Sequence, residues 1–156
     1  MTTLKLREVI LSVAIVVLIA GMFALIFARQ TQGEIVGVTP QQVKWFTPPY
    51  YKDGRQRAQL YGDSSKDGVW VDRVKIPADA HVLAHTHPHD ELVTVIEGTW
   101  YVGEGEKYDA TRLKAYPAGS FVVIPAGLAH FVATKKDAAI VQVNGVGKFA
   151  TEYVEK

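Results

Sequence analysis

No cysteine occurs among the 156 residues. That absence removes disulfides, zinc-thiolate sites and thiol nucleophiles together, although by itself it assigns no compartment. An excess of one charge is missing too. Of 17 basic and 16 acidic residues, Lys5, Arg7, Arg29 and Glu8 lie within the first 29 positions, leaving 14 against 15 beyond them. A near-neutral remainder without a basic run argues against nucleic-acid binding and against a lipid-headgroup patch. Helical periodicity is absent after Arg29 and no internal repeat is visible. What is left, with 13 Gly and 7 Pro, is a turn-rich β protein with room for one domain and its core.

The chain has one long apolar run. Val9 to Phe27 is about nineteen residues with Ser12 as its only polar side chain, and at 1.5 Å per residue a helix of that length nearly matches a ~30 Å hydrocarbon core. A buried soluble helix would show a polar face. A cleaved signal would end in small residues, whereas this run ends Phe23-Ala24-Leu25-Ile26-Phe27-Ala28-Arg29. Residues 1–29 are therefore expected to form an uncleaved signal anchor, a transmembrane helix, with an exported soluble form as the outcome if the segment is removed. Lys5 and Arg7 ahead of the run place the N-terminus in the cytoplasm and the globular part outside it, in the periplasm or at the cell surface. Residues 30–40, with Gly33 and Gly37, read as a tether, and 41–156 as the folded domain.

Short strand signals separated by Gly and Pro fill that domain. They fall at Gln59-Leu60-Tyr61, Val69 to Ile76, His81 to His85, Leu92 to Ile96, Thr99 to Val102, Thr111 to Tyr116, Phe121 to Ile124 as a buried strand, His130 to Ala133, Ala139 to Val143 and Phe149 to Val154. The second alternates, with Trp70, Asp72, Val74 and Ile76 on one face. Val43 to Tyr51 carries Trp45, Phe46, Tyr50 and Tyr51 around Pro48-Pro49. This is too proline-rich for a helix and reads as an arm or edge strand covering the barrel rather than a ligand-contacting loop.

Chemistry concentrates in Ala84-His85-Thr86-His87-Pro88-His89-Asp90-Glu91 and, some forty residues on, Pro125-Ala126-Gly127-Leu128-Ala129-His130. Residues two apart on an extended strand share a face, so His85 and His87 aim at one point. A bend at Pro88 returns Glu91 towards it, and the tight Pro125-Ala126-Gly127 turn brings His130 from a distant strand. Three neutral imidazoles and one carboxylate suit a single divalent ion. Iron, manganese, nickel, copper and zinc all accept that set. His89 and His81 fall outside the spacing and read as a solvent-facing loop residue and a structural residue. Period two places Thr134 on the inward face with His130 and Val132, beside the metal. Trp100, Tyr101 and Phe121 are candidate pocket walls, and Arg73 and Arg112 candidate carboxylate binders.

These spacings resemble the cupins. His85-x-His87-x-x-x-Glu91, six residues and Gly98 is similar to the first cupin motif, and Gly119, five residues, Pro125-x-Gly127-x-x-His130 to the second. Asp79 stands where the first motif opens with Gly, and Thr134 where the second closes with Asn. The resemblance covers roughly Gly68 to Val146. It implies an all-β double-stranded β-helix, the cupin jelly-roll barrel, with His85, His87, Glu91 and His130 as metal ligands. It also implies an N-terminal arm of a kind that crosses to a second subunit in a homodimer. The expected function is a membrane-tethered, extracytoplasmic metal-binding cupin acting on a small molecule, with a metal-dependent oxygenase or oxidoreductase as one form of it. The alternative is a non-catalytic module that senses or sequesters a metal or ligand at the envelope. Fold alone does not choose between them.

Overall fold

Ten strands carry the regular structure of the described residues, 35–155, in the computed structural model. The anchor expected over 1–29 and the first part of the tether lie outside that range. Val38–Lys156 gather into one unit. The strands are β1 Gln56–Tyr61, β2 Val69–Ile76, β3 His81–Thr86, β4 Glu91–Glu97, β5 Thr99–Glu104, β6 Lys114–Pro117, β7 Phe121–Ile124, β8 His130–Ala133, β9 Ala139–Val146 and β10 Glu152–Tyr153. They form two five-stranded sheets, ordered β1-β2-β9-β4-β7 and β10-β3-β8-β5-β6, with antiparallel pairing throughout. This is the all-β jelly-roll sandwich that the cupin resemblance implies, and the described residues add only two short 3-10 turns, Pro40–Gln42 and Ala110–Arg112.

Alternation within strands builds the core. Trp70 and Ile76 of β2, Val93 and Val95 of β4, Trp100 and Val102 of β5, Val132 of β8, and Val141 and Val143 of β9 form one buried cluster between the sheets. Each contributes on the order of 1.5–3 kcal/mol if wholly withdrawn from water. Three expectations are corrected here. Phe121–Ile124 is not buried throughout: β7 is an edge strand, and Phe121 and Val123 are 61% and 47% exposed while Ile124 points inward. An unbroken apolar run does not show which of its faces is covered. Phe149 to Val154 is not one strand, because Phe149 turns aside to pack edge-on against Trp70, leaving only Glu152–Tyr153 paired with β3. Thr111 belongs to the Ala110–Arg112 turn, whose Asp109 cap accepts from the Thr111 N–H, and the strand begins at Lys114.

The arm does pair with β1, through reciprocal backbone hydrogen bonds between Phe46 and Arg57. β1 in turn starts three residues before the expected Gln59.

The two departures from the cupin motifs meet in one turn. Asp79 has φ +54°, the only non-glycine residue with positive φ among those described, and its N–H donates to the Lys135 carbonyl. Aspartate tolerates this left-handed conformation better than most residues, which is why it serves where glycine is usual. Thr134 is buried but does not border the metal site: its Oγ1 accepts from the Ala80 N–H at 3.0 Å and donates to the Pro77 carbonyl. It sits four residues past His130, about 13 Å along an extended chain. Its inward direction was legible from period two; its depth along the barrel was not.

Gly98, in the β4–β5 turn, has φ +71°, and a Cβ there would lie 2.2 Å from the Ala138 carbonyl oxygen. Gly98→Ala should therefore lose more than about 1 kcal/mol of stability. Asp79→Gly relieves the left-handed strain and should leave stability level or raised by up to about 1 kcal/mol. Thermal melts of the two variants check the opposite signs.

Candidate metal centre

A bulge aims the first two histidines. Val82 on β3 is paired with Val132 on β8, and both face the core. The register then shifts before the next pair, His85 with His130. Strict period two from Val82 would turn His85 away; the extra residue turns it inward, as bulges commonly do beside functional sites. His81 and Leu83, on the other phase, are exposed.

The two motif segments are also tied to each other. The Gly127 N–H donates to the His87 carbonyl at 2.9 Å, and the Ala126 N–H to the Asp90 carboxylate at 2.8 Å. The turn before His130 is thus fastened to the loop that carries His87 towards Glu91.

The result is a buried cluster. His85, His87 and His130 each offer a ring nitrogen within 4.8 Å of the other two. The Glu91 carboxylate comes to 3.4 Å from His87 Nε2 and 3.7 Å from His130 Nε2. All four residues are less than 9% exposed. Each imidazole has its Nδ1 against a backbone carbonyl: His85 on Leu83 at 2.6 Å, His87 on Ala150 at 2.7 Å, His130 on Leu128 at 3.0 Å. A carbonyl only accepts, so Nδ1 carries the proton and Nε2 presents a lone pair. At Nε2 of His87 and His130, lone pairs therefore face carboxyl oxygens, a contact that needs either the Glu91 proton or a cation between the two. The donor set fits a divalent metal ion.

Burial sets the protonation states. Desolvation pushes His85 down to about 3 and His87 to about 4, and lowers His130 as well. These imidazoles are neutral at pH 7, the form in which a histidine can ligate metal. Desolvation pushes Glu91 up to about 7, against a smaller opposing pull from Arg57. In the metal-free site this carboxyl therefore holds a proton across much of the acidic range, and metal must displace it.

The cluster lies in the wall of a cavity of about 400 Å³. Val74, Ile76, Val93, Trp100, Val132, Val141 and Val143 make its apolar interior, while Tyr50, Tyr51, Arg55, Arg57, Phe149 and Tyr153 also line it. The arm thus contacts the cavity as well as β1, which corrects its reading as a cover alone. Of the candidate walls Trp100 lines the cavity. Tyr101 lies under the Lys135 ammonium, 4.5 Å from its ring centroid, and Phe121 faces solvent. Arg73 bonds Gln142 and Arg112 lies against Gly105; neither lines the cavity. The arginines that do, Arg55 and Arg57, stand outside both motifs. Their i, i+2 spacing on one face of an extended segment was the available signal, and the pairing of Arg57 with Val74 shows which face it is. His89 is exposed against Gly147, and exposed His81 stacks near Tyr108.

Fold and site together define a small jelly-roll domain with a histidine-rich centre in its barrel. A family model described as Cupin matches residues 64–154, and the chain belongs to the cupin family. Among solved structures it is similar to the polyketide cyclase RemF from Streptomyces resistomycificus, at 18% identity and TM-score 0.64, covering 79% of this chain and 87% of that one. It is also similar to a cupin-superfamily sugar phosphate isomerase from Silicibacter pomeroyi, at 21% identity and TM-score 0.58, covering 75% and 80%. A chain of the Rhodobacter sphaeroides complex of SigE with the anti-sigma ChrR matches at 22% identity and TM-score 0.52, covering 70% and 52%. At these identities the likeness is one of fold. Among curated proteins nothing matches the sequence.

The protonation states predict a sign. The folded, metal-free Glu91 holds its proton up to about 7, so metal affinity should rise about tenfold per pH unit approaching 7 from below and flatten above it. In Glu91→Gln that dependence should disappear over the same range. Metal-competition titrations from pH 5.5 to 8 check both; a wild-type affinity flat across that range would contradict the assignment.

Proposed function

We propose that this cupin holds one divalent metal ion on His85, His87, His130 and Glu91 and converts a small organic molecule in the adjoining cavity. The observation that carries the reading is the set of three Nδ1–carbonyl hydrogen bonds, which leaves three Nε2 lone pairs converging in a buried site. Fixing of a ligand's tautomer by its second nitrogen is how metal-binding histidines are held. A bound ion supplies Lewis acidity and open coordination positions for water or substrate.

The remaining cavity groups limit the chemistry. With the three imidazoles and Glu91 committed to metal, the titratable side chains lining the cavity are phenols and guanidinium groups. Burial raises Tyr51 further above its ordinary value, so its hydroxyl stays protonated at neutral pH. Among the described lining residues none then serves as a general base. This favours reactions driven by the metal itself, such as oxidation or polarisation of a coordinated oxygen, over acid–base catalysis by a free side chain. The same shortage suits the second reading, a module that binds ligand and metal without turnover. Turnover of candidate small molecules separates the two, since the binding reading yields only a ligand-dependent rise in melting temperature.

The apolar run over residues 9–27 supports a tether that keeps the barrel at the outer face of a membrane, with Lys5 and Arg7 on the cytoplasmic side. Fractionation should recover the chain in membranes at full mass; a mature form starting near Gln30 would show cleavage instead.

Elemental analysis of the full chain tests the centre. One equivalent of a transition metal is expected in the wild type, with occupancy down by ten-fold or more in His85→Ala and His130→Ala and the β circular-dichroism spectrum retained. Equal metal in wild type and both variants would overturn the ligand assignment.

A further inference from the structure

The cavity has a second polar feature apart from the metal ligands. Arg55 and Arg57 both line it, yet the carboxylates that pair with them, Asp53 and Asp72, do not. The cavity therefore meets guanidinium groups whose counter-charges lie behind them. Apart from Glu91, which the metal claims, no carboxylate lines the cavity among the described residues. We propose that Arg55 and Arg57 form a carboxylate-binding subsite. The ligand would then be a small carboxylic acid whose apolar body fills the valine-lined interior while its carboxylate rests on these two side chains. This deepens the reading of the cavity as a small-molecule site and rests on it.

Both guanidiniums are preorganised. Arg57 gives Nε to Asp72 at 2.9 Å, Nη2 to Asp72 and to Ser64, and Nη1 to the Tyr50 hydroxyl at the long distance of 3.3 Å. Arg55 gives Nε to Asp53 at 2.7 Å and Nη2 to the Tyr153 hydroxyl at 3.4 Å, and its guanidinium lies over the Tyr51 ring at 4.2 Å. A guanidinium has five N–H donors. The bonds to Asp72, Ser64 and Tyr50 take four of the five on Arg57 and leave one on its Nη1, while the Nη1 of Arg55 has no partner among the described residues. The two side chains are only 12% and 11% exposed. Held rigid and largely out of water, such groups bind an anion more strongly than mobile surface charges do.

The apolar interior makes the rest of the ligand specific. Seven of the lining residues are Val74, Ile76, Val93, Trp100, Val132, Val141 and Val143, and they offer a hydrocarbon or aromatic body a dry surface. A sugar, with hydroxyls around its ring, would leave polar groups unpaired there.

Arg57 is a poor first target. Removing one partner of a buried ion pair leaves Asp72, 1% exposed, without its counter-charge. Arg55 is the clean one. The test is calorimetric titration of the full chain, in non-ionic detergent, with acetate, 3-methylbutanoate, benzoate and 3-phenylpropanoate and with the matching uncharged amides. Each is measured with metal bound and after chelation, in wild type, Arg55→Gln and Arg55→Lys. The subsite predicts that the branched or aromatic acids bind at least about tenfold more tightly than acetate and than their amides. It predicts that Arg55→Gln loses at least tenfold for the acids with unchanged amide affinity and metal content, and that Arg55→Lys recovers part of the loss. An unaltered acid affinity in Arg55→Gln, or no binding by any acid, overturns the proposal. So does a preference for acids that vanishes on chelation, since the ion alone would then read the carboxylate. Wild type that takes up no Mn(II), Fe(II) or Zn(II) when titrated with each, yet keeps the acid preference, would sink the metal reading and leave this subsite standing.

Discussion

Three imidazoles committed in the same direction are the constraint on which the rest of this molecule depends. Each Nδ1–H is held by a backbone carbonyl, so each ring is locked in tautomer and orientation and each Nε2 faces one buried point. The carbonyls come from three different places: Leu83 within the bulge in β3, Leu128 in the turn before β8, and Ala150 in the C-terminal segment. The ring orientations are therefore complete only when all three segments are in place. Where Phe149 leaves the strand path, it stacks on the His87 ring, with centroids 4.6 Å apart. The irregular C-terminal segment thereby earns its departure from β geometry by supporting a ligand.

Much of this was legible in the sequence. The spacing of His85, His87, Glu91 and His130 brought together residues that the structure does place in one cluster, and the Gly- and Pro-punctuated strands pointed to a turn-rich all-β domain. The three imidazoles satisfy a common distance limit; the Glu91 carboxylate approaches two of them. The bulge that aims His85 was not legible, because a one-residue insertion changes no composition and is visible only in the pairing register.

Position along an axis was the other thing local pattern could not supply. Thr134 was correctly put on the inward face and wrongly put beside the metal, since period two gives a side and says nothing of distance. The cavity-lining arginines lie outside the motif span, where no spacing ties them to the histidines. Arg55 and Arg57 enter from the N-terminal side and become part of the cavity only once β1 pairs with β2. Val122 and Ile124 likewise share β7 with exposed Phe121 and Val123, a difference set by which face of the sheet each side chain takes, one covered by the core and one open to solvent.

The resulting division of labour is simple. One end of the barrel carries a metal-fitting cluster and an apolar cavity; the turn in which Asp79 meets Lys135 and Ala80 meets Thr134 handles backbone strain away from the donors. The central claim is that the three inward Nε2 atoms share a single cation. X-ray absorption at the edge of the metal that co-purifies with the full chain tests it most directly. The account predicts one metal per chain with the outer-shell scattering of three imidazoles; an oxygen-only shell, or scattering from one imidazole or none, would contradict it.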